Sequence, residues 1–347
     1  MAKSVFSGFE RFSTKFEDVE DGASVEAEVT VDVSVADGEA EATEIAETVA
    51  ESEQIVEAVE EGENTAETLR FYASVARQYG VSPAFLAVVN ADNGLSNLSG
   101  IVLPSSESLD TTGRNQSTAE QVIRACEAAE KSVWERVKEF FKRLWEQLKT
   151  LGRTILNKFS SWESACKRAC ESIKNITIKD KTDDKEIVTP AQISSMVVAF
   201  TELIKNPLKP NKNHLGGIGL KEDEDGAIVS DSNSEVAKPT KTKIDNSLRE
   251  SLIKCYTNSI VLLFKQKNTA ESTLKENELS IKNSISNAEK LARMTEDTSD
   301  KDEIQKIKDS NEETKKQVKI TMKALGLVGK IAGAYVKSCA ACRAAKA

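Results

Sequence analysis

Histidine is almost missing from this chain, and its scarcity limits the chemistry the chain can perform. His214 is the single histidine among 347 residues, and it lies in a glycine-rich stretch. Ser–His and Cys–His nucleophilic sites, like multi-histidine metal sites, need histidine held at a structured position. The sequence therefore predicts a protein that is not an enzyme, with no catalytic residues, no metal ligands and no cofactor.

Proline and cysteine are also scarce, with 6 residues of each. Scattered cysteines cannot form a disulfide framework, so reduced thiols are expected. The N-terminus lacks the continuous apolar run of a secretory signal, and no apolar stretch reaches the length of a membrane span. These absences predict synthesis in the cytoplasm, and the abundance of Ala, Glu, Lys and Ser favours helices and polar linkers.

Three short patterns resemble reactive motifs but have simpler interpretations. The glycines of HLGGIGL, at residues 214–220, lack the Lys-Ser/Thr pair of a phosphate loop and follow no predicted strand. Cys339 and Cys342, like Cys166 and Cys170, have a helical spacing that suits small packing residues on one face. The acidic clusters contain no calcium-loop sequence.

Basic residues are missing from a long N-terminal stretch. Between Glu17 and Glu67 there are 19 acidic residues and no Lys or Arg, whereas residues 68–347 carry 44 basic and 36 acidic residues. Like charges and few large apolar groups predict that this acidic leader is largely disordered in isolation. Its later part, residues 43–59, is expected to become helical against a partner.

The residues before the acidic leader place four phenylalanines at spacings of three and four. They are Phe6, Phe9, Phe12 and Phe16. This pattern fits an amphipathic docking peptide, and it fits equally well a frayed terminus with a few apolar side chains.

The remaining chain predicts an all-α fold of elongated amphipathic helices with a helical hairpin or bundle. Residues 1–67 are the aromatic start and acidic leader, predicted to be a propeptide. After them we expect a small helical segment and polar connection at 68–118, with Gly80 as a helix stop. An amphipathic aromatic and basic helical region follows at 119–205, then a flexible linker at 206–243 and a C-terminal helical hairpin at 244–347. Thr189 and Pro190 predict the start of a helix inside the third segment.

A heptad seam is the strongest helical signal. Apolar residues recur at alternating spacings of three and four at Trp134, Val137, Phe141, Leu144, Leu148, Leu151 and Ile155. Such a seam packs against other helices, either within one chain or between chains, so self-association is one prediction.

A triplet of a small residue, any residue and Glu recurs in the acidic leader. It ends at Glu26, Glu44 and Glu60. The order of an aromatic start, an Ala/Glu-rich acidic leader, the segment LRFYASVARQYGVSPAF and then VWERVKEFFKRLWEQLKTL resembles the internal head or prohead core proteins of jumbo tailed bacteriophages. The resemblance covers roughly residues 1–205, and the C-terminal helices have no part in it.

This resemblance implies a structural protein of the virion interior. A prohead protease would cut after one of the three triplets, and the product would stay in the capsid with the genome, among other capsid and scaffold proteins. Glu60 is the favoured site, because removal of residues 1–60 takes away 17 acidic and 3 basic residues and turns a net charge of −9 into +5. Such a product would contact DNA without sequence preference. The alternatives are a membrane-active protein with amphipathic helices at 133–156 and 320–347 and a coiled-coil adaptor.

Overall fold

The computed structural model describes residues 35–91, 116–178, 184–224, 228–231, 236, 238–294 and 301–345. Helices make up most of these residues, and each of the described strands is three residues long, so the predicted all-α class is confirmed. The aromatic start, the first part of the acidic leader up to residue 34 and most of the polar connection lie outside the described residues.

The first three helices are α1 at Val35–Tyr79, α2 at Pro83–Ala91 and α3 at Gln116–Lys174. Gly80 ends α1 as predicted, because its φ of 74° is the left-handed conformation that closes many helices. Proline starts α2 at a position where its missing N–H is not needed. The strongest sequence signal for a helix thus corresponds to the longest of these three elements.

The later part of the acidic leader is helical in the structure. The helix α1 runs without interruption across residue 67, where the sequence analysis placed the end of the leader. Its buried side chains recur at spacings of four and three, at Ile45, Val49, Ser52, Val56 and Val59. Because most of the acidic side chains occupy the other faces of α1, their repulsion does not prevent this stripe from packing.

The helix α4, Pro190–Lys205, starts as predicted. The Thr189 hydroxyl accepts a hydrogen bond from the Gln192 backbone N–H at 3.3 Å, and Gln192 Oε1 accepts one from the Thr189 N–H at 2.8 Å. This reciprocal pair is a capping box, which satisfies donors that a helix N-terminus otherwise leaves unpaired.

The segment at 206–243, predicted to be a flexible linker, contains ordered elements in its described parts. The short helix α5, Lys212–Leu215, precedes a 3₁₀ turn at Gly216–Ile218. Strand β1 lies before this segment; β2, β3 and β4 lie within it, and the pairs β1–β4 and β2–β3 are antiparallel. They span Lys185–Ile187, Leu220–Glu222, Ile228–Ser230 and Thr240–Thr242. Four buried apolar side chains explain this order: Leu215, Ile218, Leu220 and Ile228.

The C-terminal region forms the predicted helical hairpin. Its first arm is α6 at Asn246–Cys255, a π-helical turn at Tyr256–Ile260, α7 at Val261–Lys265 and α8 at Lys267–Arg293, and its second arm is α9 at Lys301–Ala344. Buried polar pairs join α8 to α9, with Asn277 bound to Thr321 and Ser284 to Thr314, each at 3.1 Å. The two pairs run in opposite directions along the helices, so the arms are antiparallel.

The chain divides into two compact units. The described residues of unit 1 fall within 57–140 and 286–304, and those of unit 2 fall within 33–56, 141–285 and 305–347. In unit 1, α1 and α3 approach closely where a Cβ on Gly62 would lie 2.7 Å from Val137 Cγ2. In unit 2, α3 and α9 approach where Gly329 faces the ring of Trp162.

Candidate functional site

The seven residues of the predicted seam are all buried inside the chain. Their exposed fractions do not exceed the 2% of Trp134, Leu148 and Leu151. The indole of Trp134 donates a hydrogen bond to Glu130 at 3.3 Å, which satisfies its polar atom. The seam therefore serves packing within the chain, and its side chains offer no open surface to a second chain. Self-association remains a prediction that would need another surface.

The three candidate cleavage positions have different surroundings. Glu26 lies outside the described residues. Glu44 is exposed in the first part of α1 and directly precedes Ile45, whose side chain is buried. Glu60 is exposed too, but it lies well inside α1, next to the fully buried Val59. A cut after Glu60 would thus divide a packed helix, whereas the sequence places this bond before the first folded helix.

The acidic leader makes specific contacts inside unit 2. Val49 Cγ2 and Ile45 Cγ2 lie 3.0 and 3.7 Å from the position that a Cβ would have on Gly326 of α9. Glu53 Oε1 accepts hydrogen bonds from Lys323 Nζ at 3.0 Å and Ser230 Oγ at 2.8 Å. The partner against which residues 43–59 become helical is therefore the chain itself.

The cysteines are free thiols at buried positions. Burial raises the pKa of Cys339 to about 12 and that of Cys342 to about 11, so the reactive thiolate is disfavoured at neutral pH. Cys166 is fully buried, and its pKa is also raised by burial. Among the described residues, no cluster of three or more His, Cys, Asp or Glu side chains is arranged to hold a metal ion.

A cleft of about 460 Å³ lies in unit 1 between α1, α3 and the end of α8. We call it the cationic cleft, because five cations line it: Arg70, Arg77, Arg124, Lys131 and Arg293. Two carboxylates, those of Glu127 and Glu130, line it as well. Small and apolar groups of Ala73, Ala128 and Leu291 complete part of the wall.

Each carboxylate of the cationic cleft is engaged by one arginine. Arg70 donates to Glu130 and Arg77 donates to Glu127. Burial raises the pKa of Glu130, and the charge and hydrogen bond of Arg70 together with the bond from Trp134 act in the opposite direction. This cleft was not predicted from the sequence. The sequence pattern that could have indicated the cleft is the spacing of Arg124, Glu127, Ala128 and Lys131, which places the four residues on one face of α3.

The model of the phiKZ-like phage internal head proteins matches residues 11–199, more than half of the chain. The chain belongs to this family. The match covers α1, α2, α3 and most of α4, and it includes the cationic residues that α1 and α3 contribute to the cleft. Comparison of this internal head protein with the curated proteins and with the solved structures gave no match.

Family membership confirms the resemblance on which the sequence analysis relied. This internal head protein is a structural protein of the phage, and its place is inside the capsid.

Proposed function

We propose that this internal head protein is made in the host cytoplasm as a precursor, assembles with scaffold and capsid proteins, and is trimmed after Glu44 by the prohead protease. The trimmed protein then stays in the capsid in contact with the genome. The observation that carries this proposal is the position of Glu44, an exposed residue that ends a small-x-Glu triplet of the sequence and directly precedes the buried Ile45.

The packing of α1 favours Glu44 over Glu60 as the processing site. Proteases cut exposed and locally unfolded chain, and both candidate bonds lie inside α1, but the bond after Glu44 is nearer the N-terminal end of the helix, where opening costs less than in its packed middle. A cut after Glu44 leaves Ile45, Val49 and the Glu53–Lys323 ion pair in place. A cut after Glu60 removes all of these contacts from unit 2.

The change in net charge also supports removal of residues 1–44 before the protein contacts the packed DNA. Residues 1–44 carry 12 acidic and 3 basic residues, so their removal changes the net charge from −9 to 0. Because phosphates repel acidic residues, loss of this segment lowers the cost of bringing the protein close to packed DNA. The cationic cleft then gives the neutral product a local positive surface.

One of the described helices supports the membrane-active alternative by length and composition. The most apolar 18-residue window of α9 has a mean hydropathy of 1.2, and 61% of that window is buried inside the protein. Burial of this kind is expected of a core helix, and unit 2 would have to open before α9 could enter a bilayer. The proposal therefore keeps the structural role and treats membrane contact as secondary.

Binding of DNA by the precursor and by the protein trimmed at Glu44 tests the genome contact. We expect the trimmed protein to bind duplex DNA without sequence preference, more tightly than the full chain, and with an affinity that falls steeply as salt rises from about 50 to 200 mM. Fluorescence anisotropy with labelled duplexes at several salt concentrations measures this. Equal affinities of the two forms, or no binding by the trimmed form at low salt, would remove genome contact from the proposed function.

A further inference from the structure

The cationic cleft contains more positive charge than its own carboxylates neutralise. Glu130 and Glu127 each accept a hydrogen bond from one arginine, Arg70 and Arg77 respectively. Three further cations remain in the lining, so the cleft has a net charge of about +3 if every group is ionised.

The three remaining cations are weakly engaged within the described part of the chain. Arg124 pairs with Glu120 at 3.8 Å, and both side chains are more than two-thirds exposed, so this ion pair contributes little. Lys131 and Arg293 are exposed, and neither has a carboxylate within 4.0 Å among the described residues. These side chains are therefore available to an anion from outside.

The elements of unit 1 hold these cations around one concavity. Arg124 and Lys131 are seven residues apart on α3, a spacing that returns side chains to the same helical face. Arg293 belongs to the last turn of α8. Across the cleft, Arg70 and Arg77 on α1 are also seven residues apart. Repulsion among five cations around one cleft is unfavourable unless anions compensate for it, and the two carboxylates compensate only in part.

The shape of the cleft indicates the kind of anion. Its volume of about 460 Å³ lies in the range of roughly 300–1,000 Å³ that small-molecule sites occupy. Guanidinium groups present forked N–H donors that match phosphate oxygens, and the alanine and leucine side chains of the wall leave room without adding negative charge. A carboxylate ligand would satisfy fewer of these donors than a phosphate group.

The geometry points to the cationic cleft as a binding site for phosphate groups, with Lys131, Arg124 and Arg293 as the residues that meet the ligand. Arg70 and Arg77 are held in position by Glu130 and Glu127 and add to the positive potential of the cleft. Two sources present this chemistry inside a phage head or an infected cell: the DNA backbone and free polyphosphates such as nucleotides. The assignment of DNA as the source of the phosphate rests on the proposed genome contact. The phosphate site itself does not depend on that proposal.

A charge-matched pair of double variants in the full chain tests the site. The rim variant is Lys131→Gln with Arg293→Gln, and the control variant is Arg153→Gln with Lys275→Gln, which removes two exposed cations of unit 2. All four side chains are exposed, so both variants keep the fold, which circular dichroism verifies. Arg70 and Arg77 are left unchanged, because their loss would leave buried or partly buried carboxylates without a partner.

The probes are inorganic tripolyphosphate, measured by calorimetry at low salt, and labelled 12-nucleotide single strands and 12-base-pair duplexes, measured by anisotropy. We expect the rim variant to bind tripolyphosphate at least about tenfold more weakly than the unchanged chain, with the salt slope for DNA reduced by about two, one unit for each lost phosphate contact. The control variant should change either affinity less than about twofold.

The binding results distinguish a site for DNA, a site for free polyphosphate and the absence of a phosphate site. Loss of tripolyphosphate and DNA binding in the rim variant alone supports the site with DNA as its ligand. Loss of tripolyphosphate binding in the rim variant, with no DNA binding by the full chain or by the protein trimmed at Glu44, keeps the site, assigns it to free polyphosphate and removes the proposed genome contact. Equal losses in rim and control variants, or no tripolyphosphate binding by the unchanged chain, overturn the site.

Discussion

Gly329 and Gly333 lie four residues apart in α9 but have different surroundings. A Cβ on Gly329 would lie 3.1 Å from the ring of Trp162, whereas a Cβ on Gly333 would meet no atom within 4 Å. The indole of Trp162 is itself buried, so it has little room to move away. These glycines therefore provide a matched test of how closely α3 and α9 pack in unit 2.

We expect Gly333→Ala to stabilise the protein and Gly329→Ala to destabilise it. Alanine in a helix interior gains up to about 1 kcal/mol over glycine, and Gly333 has the space to realise this gain. At Gly329 the new methyl group must displace the Trp162 ring, and overpacking of this kind costs about 1–3 kcal/mol. Chemical denaturation of the two variants measures both changes. A stabilised Gly329→Ala protein would show that the approach of the two helices is looser than the structure has it.

Single residues with strong local chemistry were predictable from the sequence. Thr189, Pro190 and Gln192 form a cap because their side chains act on adjacent backbone, and Gly80 ends a helix because it tolerates a positive φ. The contacts of the cationic cleft were not predictable in this way. Arg70 and Glu130 are 60 residues apart, and only the packing of α1 against α3 brings them together.

At the scale of whole elements, α1 shows why the helix in the later part of the acidic leader was only partly predictable from the sequence. The spacing of Ile45, Val49, Ser52, Val56 and Val59 is the same alternation of four and three that identified the seam of α3. The surrounding positions are rich in Glu and few apolar groups are large, so composition indicated disorder of the isolated segment and left its later part to fold against a partner. The periodicity was the better guide, since burial depends on one face of the helix rather than on the composition of the whole segment.

The 206–243 segment departs from its prediction for a related reason. It contains four glycines, three prolines and a charged run, yet the apolar residues Leu215, Ile218 and Leu220 are spaced so that a short helix, a turn and a strand can bury them. Gly219 adopts a φ of 75° and allows the change of direction between them. In this segment the glycine marks an ordered turn rather than a flexible connection.

Truncation separates the two parts of the acidic leader. We expect removal of residues 1–44 to leave the free energy of unfolding nearly unchanged and removal of residues 1–60 to lower it by several kcal/mol. The longer truncation takes away the buried Ile45, Val49, Val56 and Val59, and full burial of an aliphatic side chain contributes about 1.5–3 kcal/mol. It also leaves Lys323 without Glu53.

Urea denaturation of the full chain and both truncated proteins tests this prediction. The protein that lacks residues 1–44 is the matched control, because it loses acidic residues and keeps the buried side chains of α1 from Ile45 to Val59. Equal stability of both truncated proteins would mean that residues 45–60 are dispensable for unit 2, and Glu60 would then regain its place as the preferred processing site.

For the molecule as a whole, the net negative charge is concentrated in the N-terminal part of the chain, whereas most of the packed helices follow it. The net charge of −9 arises mainly from the first 67 residues, with a balance of −17, while the rest carries +8. The structure divides the acidic part again, because residues from Ile45 onward are part of the packed protein. Processing after Glu44 therefore removes −9 of this −17 balance and keeps the buried side chains from Ile45 to Val59.

The N-terminus of the protein in mature phage particles tests the central claim most directly. Mass spectrometry of purified, DNA-filled heads should find peptides that begin at Ile45, with residues 1–44 depleted relative to proheads from cells that lack the protease activity. The result that contradicts the account is an intact N-terminus in mature heads, or a mature protein that begins at Glu61 and keeps no residue of the buried stripe between Ile45 and Val59.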